Sequence, residues 1–264
     1  MYSSSLPGGI FVIDPARVFA VYRRNFLVWR KLAPASLIGN IAEPLITLVA
    51  FGYGLGSFLK EVEGVPYVVF LAAGAMCMST MMAASFESLY SAFARMQVQR
   101  TWDSILNAPV GLSEILLAEW LWAATKGMMS GAAIVMVAVA LDISRAPQLV
   151  LALPVIFLTG LCFAATGLVV NSLARGYDFF TFYFTLALTP MIFVSGVYYP
   201  AQALPQWLAA LASVLPLSAA VSLVRPLVIG GWPEQVALPF ALLAVWTLGA
   251  LALAHALTLR RFAR

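Results

Sequence analysis

Five ionisable residues stand in surroundings that should exclude them. Glu43, Glu87, Glu114, Glu119 and Lys126 fall inside or at the ends of long apolar runs. On insertion scales a charge at the bilayer centre costs roughly 2.5–3.5 kcal/mol, so such groups face a bundle interior and pair. Three kinds of chemistry suit them: a proton relay, an ion pair that fixes packing, or a polar lining at the cytoplasmic mouth of a path for a headgroup. At about 1.5 Å per helical residue, Lys126 lies roughly 20 Å and Glu43 roughly 15 Å from the cytoplasmic side, which matches them in depth as a pair. Glu119 is two turns from Lys126 on nearly the same face, and Glu87 is nearer the cytoplasm.

Hydrolytic chemistry fits poorly. The single histidine, His255, and the Ser195-Gly196 pair invite a Ser–His reading. However, Ser195 belongs near the outer end of one span and His255 near the inner end of another, far beyond hydrogen-bond reach. No H-E-x-x-H and no G-x-x-x-x-G-K-[ST] occurs, so this chain has neither that metal motif nor a P-loop. Cys77 and Cys162 fall inside apolar runs and read as small buried hydrophobes.

These residues are positioned by membrane helices. The 264 residues are 62% hydrophobic and only 10% charged, and the mean hydropathy is +0.94. Soluble domains average about 45–50% apolar and about 25% charged residues, so one integral membrane domain is expected. Six runs reach the roughly 20 residues a spanning helix needs: 34–58, 66–90, 113–141, 149–173, 179–197 and 236–259. The expected fold is therefore all-α and polytopic. The stretch MYSSSLPGGIFVIDPA has no basic n-region followed by a long apolar core, so no cleaved signal is expected.

The basic residues sort by side. Arg17, Arg23, Arg24, Arg30, Lys31, Arg95, Arg100, Arg175, Arg260, Arg261 and Arg264 fall on one side, against Lys60, Arg145 and Arg225 on the other. That bias places both termini in the cytoplasm. It also accounts for the net charge of +4 without nucleic acid.

Three further segments stand out. Residues 17–32 are amphipathic, with Val18, Phe19, Val21, Tyr22, Phe26, Trp29 and Leu32 on one face and the basic residues opposite. Such a helix is expected in the cytoplasmic headgroup plane, apolar face in lipid. Within residues 95–109, a helical reading of 97–107 sets Trp102, Ile105 and Leu106 together, and Pro109 ends it. A short helix of this kind, held out between two spans, suits docking into a partner's groove. Residues 193–217 are apolar but interrupted by Pro200, Pro205 and Pro216, which rules out one continuous helix. A re-entrant hairpin over 198–229, between spans five and six on the outer side, is expected instead. Ser195, Gly196, Tyr198, Pro200, Pro205 and Trp207 would form its gate. The aromatic run Tyr177, Phe179, Phe180, Phe182, Tyr183 and Phe184 suits either an interfacial belt or a wall on which sugar rings stack.

Two transport classes remain. A secondary carrier needs its own titratable relay and commonly shows repeated halves. A permease served by a separate ATPase needs a cytoplasmic docking helix and no nucleotide motif, which fits better. On SGVYYPAQALPQW followed by LPL, the QRTWDSIL segment and the six-span layout, the chain resembles the permeases of type-2 ATP-binding-cassette exporters. Gln99–Trp102, Trp122–Lys126, Ala152–Ile156, Arg225-Pro226 and Leu6–Gly9 make it look most like the nodulation-factor (lipochitooligosaccharide) branch, the nodulation J type.

This resemblance implies a homodimer with two copies of a separate P-loop ATPase, which would hold the ATP and Mg, so that this chain needs no cofactor and is no enzyme. It implies export of a lipid-linked or amphiphilic oligosaccharide, with a drug or hydrophobic-compound exporter as the alternative. It also implies an ATPase-coupling role for Arg100, Thr101, Trp102, Asp103, Ile105 and Leu106. Glu43, Glu87, Glu119, Lys126, Phe182 and Tyr183 are the candidates for the path, and Pro200, Pro205 and Trp207 for the outer gate.

Overall fold

The computed structural model describes residues 13–59 and 61–263, without the side chains of 35–37, 40, 41, 43 and 44. Lys60, Arg264, the Leu6–Gly9 string and the Glu43 side chain thus lie outside the described residues, and with Glu43 its expected pairing with Lys126.

Helix α1 (Pro15–Arg30) starts where Asp14 accepts a hydrogen bond from the Ala16 N–H at 2.9 Å, with Pro15 in the first turn. Helix α2 (Ala33–Val49) continues through a π turn and a 3₁₀ turn to Ser57. Two short antiparallel strands, β1 (Glu61–Val62) and β2 (Val65–Pro66), then reverse the chain. Glu63 and Gly64, both at positive φ, form the two-residue turn between them.

Helix α3 (Tyr67–Phe86) is the central element, packed against α5 (Leu112–Ala140), α6 (Ala152–Leu173) and α10 (Pro216–Ile229). Small residues permit this. A Cβ on Gly127 would meet the Thr80 carbonyl oxygen at 2.9 Å, and one on Gly74 would meet the Val197 carbonyl oxygen at 2.6 Å. Gly74→Ala should therefore force α3 away from the chain at Val197. Overpacking of this kind typically costs about 1–3 kcal/mol. A lowered melting temperature of the detergent-purified protein checks it, and an unchanged one would count against this packing.

Beyond Phe86, α3 runs on through π turns at Glu87–Ser91 and Ala94–Val98. The chain then breaks at Arg100, which is left-handed (φ 49°), and starts the six-residue α4 (Thr101–Leu106). The helix thus extends well past Tyr90, into what the sequence suggests is a loop. After α6 come α7 (Asp178–Tyr183), a π turn and α8 (Thr189–Val194), forming one apolar helix of 178–194. Helix α9 (Gln206–Ser213) and α10 meet at an angle of 84°. Helix α11 (Ala237–Phe262) closes the chain against α6 and α10.

Four of the described helices are long and apolar enough to cross a membrane, or five if the bent α9–α10 pair counts as one. The segments Leu45–Ser57 and Asp178–Val194 are shorter apolar helices.

Candidate functional site

The densest chemistry lies where α3, α4 and α5 meet. Eight residues of pure α-helix make about 2.2 turns. The wider π turns wind more slowly, bringing that interval back toward two whole turns and setting Arg95 over Glu87. Such turns release carbonyls from the usual ladder. Here Asn171 of α6 donates its side-chain amide to the carbonyls of Ser88 (2.8 Å) and Leu89 (3.3 Å).

Arg95 then bridges two carboxylates. Its Nε donates to Glu119 Oε1 at 3.0 Å and its Nη2 to Glu87 Oε1 at 2.9 Å, with a further short bond from Nη2 to Glu119 Oε2. Two tryptophans complete the set. Trp122 Nε1 donates to Glu87 at 2.9 Å, and Trp102 Nε1 donates to Glu119 at 3.3 Å. Both indoles and Glu119 are almost wholly buried. The bonds to charged groups are stronger than neutral ones, and the forked guanidinium fixes geometry as well as charge. Trp102 also stacks on Phe262 of α11, with centroids 6.1 Å apart. The network therefore joins α3, α4, α5 and the end of α11.

Helix α1 covers one side of it. Val18, Val21 and Asn25 are buried, and Tyr22, Phe26 and Trp29 all contact the Trp122 ring. The Glu114 carboxylate accepts from the N–H groups of Gly111 (2.6 Å) and Asp14 (3.0 Å), pinning the start of α1 to the start of α5. Between α1 and the continuation of α3 lies a cavity of about 390 Å³, lined by Arg24, Asn25, Glu87, Tyr90, Arg95 and Tyr177 among others. Burial pulls the Arg24 guanidinium below its usual range; the nearby Arg95 adds to this and Glu119 opposes it. Among the described residues, no three His, Cys, Asp or Glu side chains gather as a metal site requires.

The sequence profile of the ABC-2 type transporter family matches residues 16–229, from α1 to the end of α10. The chain belongs to that family. Nodulation protein J of Sinorhizobium fredii is 42% identical over 93% of this chain and 92% of its own length. Nodulation protein J of Rhizobium leguminosarum bv. trifolii is 48% identical over 86% and 85%. The inner membrane transport permease YadH of Escherichia coli (strain K12) is 24% identical over 68% and 72%. The charge network, α4 and the bent α9–α10 pair all fall inside the family match.

In this ABC-2 transporter chain the six residues expected to meet an ATPase divide by face. Arg100 and Asp103 are exposed, while Thr101, Ile105 and Leu106 are half-buried. Trp102 is turned into the bundle at 1% exposure, so it keys α4 to the spans instead of presenting itself to a partner. Glu87 lines the cavity beside α1, whereas Glu119 is sealed behind Arg95 and Trp102. Lys126 is buried, its Nζ 5.1 Å from the centre of the Trp29 ring. The aromatic pair separates: Phe182 is exposed, while Tyr183 packs on the core.

At the opposite end of the bundle, Ser195 is buried and Gly196 turns at φ 75°. Tyr198 gives its carbonyl to the Tyr67 hydroxyl at 3.1 Å and rests on Phe51 and Phe193. Pro200 and Pro205 cap the short helices that follow them, and Trp207 is exposed. His255 pairs with Ser113 at 2.7 Å, a bond between α11 and α5. The apolar face of α1 is shared, because part of it docks on α5 while Phe19, Val28 and Leu32 stay exposed. Asn25, which breaks that face in the sequence, lies on the docked side.

Sequence reasoning misses Arg95, counted among loop charges, and Trp122. The signal for Arg95 is the apolar series Leu89, Tyr90, Phe93 and Met96, which carries the helix past Tyr90 with Glu87 and Arg95 eight apart.

Proposed function

We propose that the chain is the membrane-spanning permease subunit of an ATP-driven exporter, moving a lipid-linked or amphiphilic oligosaccharide out of the cytoplasm. It works as a homodimer with two copies of a separate P-loop ATPase, which hold the ATP and Mg. Both termini face the cytoplasm of a bacterial inner membrane. The six spans are α2 with its continuation, α3, α5, α6, the 178–194 helix and α11. The pair α9–α10 is a re-entrant hairpin on the outer side. The 178–194 helix, though short, is within the roughly 17–25 residues a span requires.

One observation carries this reading: α4 is bound to the buried charge network on its inner face through Trp102, while Arg100 and Asp103 remain exposed. A motion imposed on the exposed face is thereby delivered to α3 and α5. Family membership and the absence of a P-loop supply the need for a partner, and similarity to proteins named for nodulation supports the glycolipid class. The cavity between α1 and α3 suits the cytoplasmic mouth of the path, with Arg24 and Glu87 facing a polar headgroup.

The test uses the chain co-purified with its ATPase in proteoliposomes. Asp103→Arg should reduce substrate-stimulated ATP hydrolysis by about tenfold, a loss of ~1.4 kcal/mol of coupling, without changing the melting temperature. Export should persist when the proton gradient is collapsed and ATP is maintained. Export that stops with the gradient would favour a secondary carrier.

A further inference from the structure

A second cavity lies at the other end of α3. Arg225 of α10 stands over the Phe70 ring at 3.6 Å from its centre. Phe70 is 25 residues from Arg95, about 37 Å along a helix. Arg225 falls within the apolar run VSLVRPLVI, where a charge needs a reason. Stacking on Phe70 fixes the guanidinium plane, and Nη2 donates a short bond to the Gly196 carbonyl.

Among the described residues its Nε has no partner. Nor have the hydroxyls of Ser195 and Ser218, and all three atoms are buried. Ser195 is only 2% exposed. Buried polar groups in folded proteins are ordinarily hydrogen-bonded. These three residues line one cavity of about 780 Å³, which is in the size range of small-molecule sites.

The rest of the lining narrows the ligand. Gln235 adds an amide, and Glu63 and Glu234 add carboxylates that outnumber the one guanidinium. That balance disfavours an anion and suits a neutral molecule rich in hydroxyls, which both donate and accept. Trp232 lines the same cavity at 68% exposure, offering an aromatic face on which the C–H side of a sugar ring can stack.

We propose that this cavity, enclosed by the chain at Ser195, helix α10 and the approach to α11, is a binding site for the uncharged sugar end of the exported molecule. It rests on the exporter reading above, under which this end of α3 faces outward. Arg225 and Ser218 supply directional hydrogen bonds, and Trp232 supplies the stacking platform at the mouth.

The experiment places the full chain with its ATPase in lipid nanodiscs and titrates chitotetraose, an uncharged soluble oligosaccharide, by saturation-transfer NMR and calorimetry. Citrate serves as the anionic comparison. Saturable chitotetraose binding is expected, weakened at least about tenfold by Arg225→Met and by Trp232→Ala. Leu248→Ala, exposed on α11 away from the cavity, should leave it unchanged. Because Arg225 also packs on Phe70, the Trp232 variant decides if Arg225→Met does not fold. Absence of saturable binding, binding unaltered by Trp232→Ala, or a preference for citrate would overturn the proposal. ATP-driven export of an amphiphilic oligosaccharide is measured in parallel. Export without chitotetraose binding defeats this site alone, whereas chitotetraose binding without ATP-driven export defeats the exporter reading and leaves the cavity an oligosaccharide site with no exported cargo.

Discussion

Replacing Arg95 with methionine should destabilise the bundle by about 3–5 kcal/mol, the usual cost of removing one member of a buried ion pair. The size follows from what is left behind. Glu87 and Glu119 would keep their buried positions and their indole donors but lose the only guanidinium described between them. Two facing carboxylates without that cation repel one another, so α3 and α5 should separate or take up water at this level. Arg95→Lys keeps the charge but loses the fork that reaches both carboxylates, and should recover only part of the loss. Adding Glu119→Gln to Arg95→Met removes one orphaned charge and should recover stability non-additively. Thermal melting of these three variants, of Glu119→Gln alone and of the parent in one detergent provides the comparison. A melting temperature for Arg95→Met equal to that of the parent would mean that this network contributes nothing to the fold.

Trp102→Ala should have an effect of similar size but a different kind. The indole is buried, donates to Glu119 and stacks on Phe262, and truncations of large buried aromatics cost about 3–5 kcal/mol. The loss falls mainly on α4, a six-residue helix in which Trp102 is the buried residue. We therefore expect the spans to remain assembled while α4 loosens. Protease sensitivity between Arg100 and Asn107 should rise, and substrate-stimulated hydrolysis by the partner ATPase should fall to its basal level. Trp102→Phe keeps the ring but not the N–H and should hold α4 in place with weaker coupling. Full coupling in Trp102→Ala would remove this residue from the transmission path.

Helix by helix, what the sequence reveals is what hydropathy can encode. Long apolar runs at α3, α5, α6 and α11 are plain, because twenty apolar residues in succession have few other uses. The stop at Asn107-Ala108-Pro109 and the break at Pro200 and Pro205 are equally plain, as proline acts locally. The π turns that extend α3 to Val98 are not, since no residue type demands them. Without them Arg95 reads as a loop charge, and Trp102 reads as an exposed anchor. Arg225 is lost for a related reason: a count of basic residues by side cannot distinguish a topogenic charge from one stacked on Phe70. Asn25 shows the limit of amphipathic reasoning, because a residue that spoils a lipid-facing stripe is instead buried on the docked side of α1, where it lines the cavity beside Glu87.

The left-handed residue Arg100 has a mechanical corollary. A continuous helix transmits push and twist along its axis, as a rod does. At Arg100 that rod ends: α4 has its own axis and shares no unbroken hydrogen-bond ladder with α3. A load on α4 therefore does not run straight along α3. It leaves through the indole of Trp102 into Glu119 on α5, and through Arg95 it returns to α3. Under the proposed coupling, the joint is a crank with its pin at Trp102, and a thrust on α4 becomes a sideways displacement of α5 against α3.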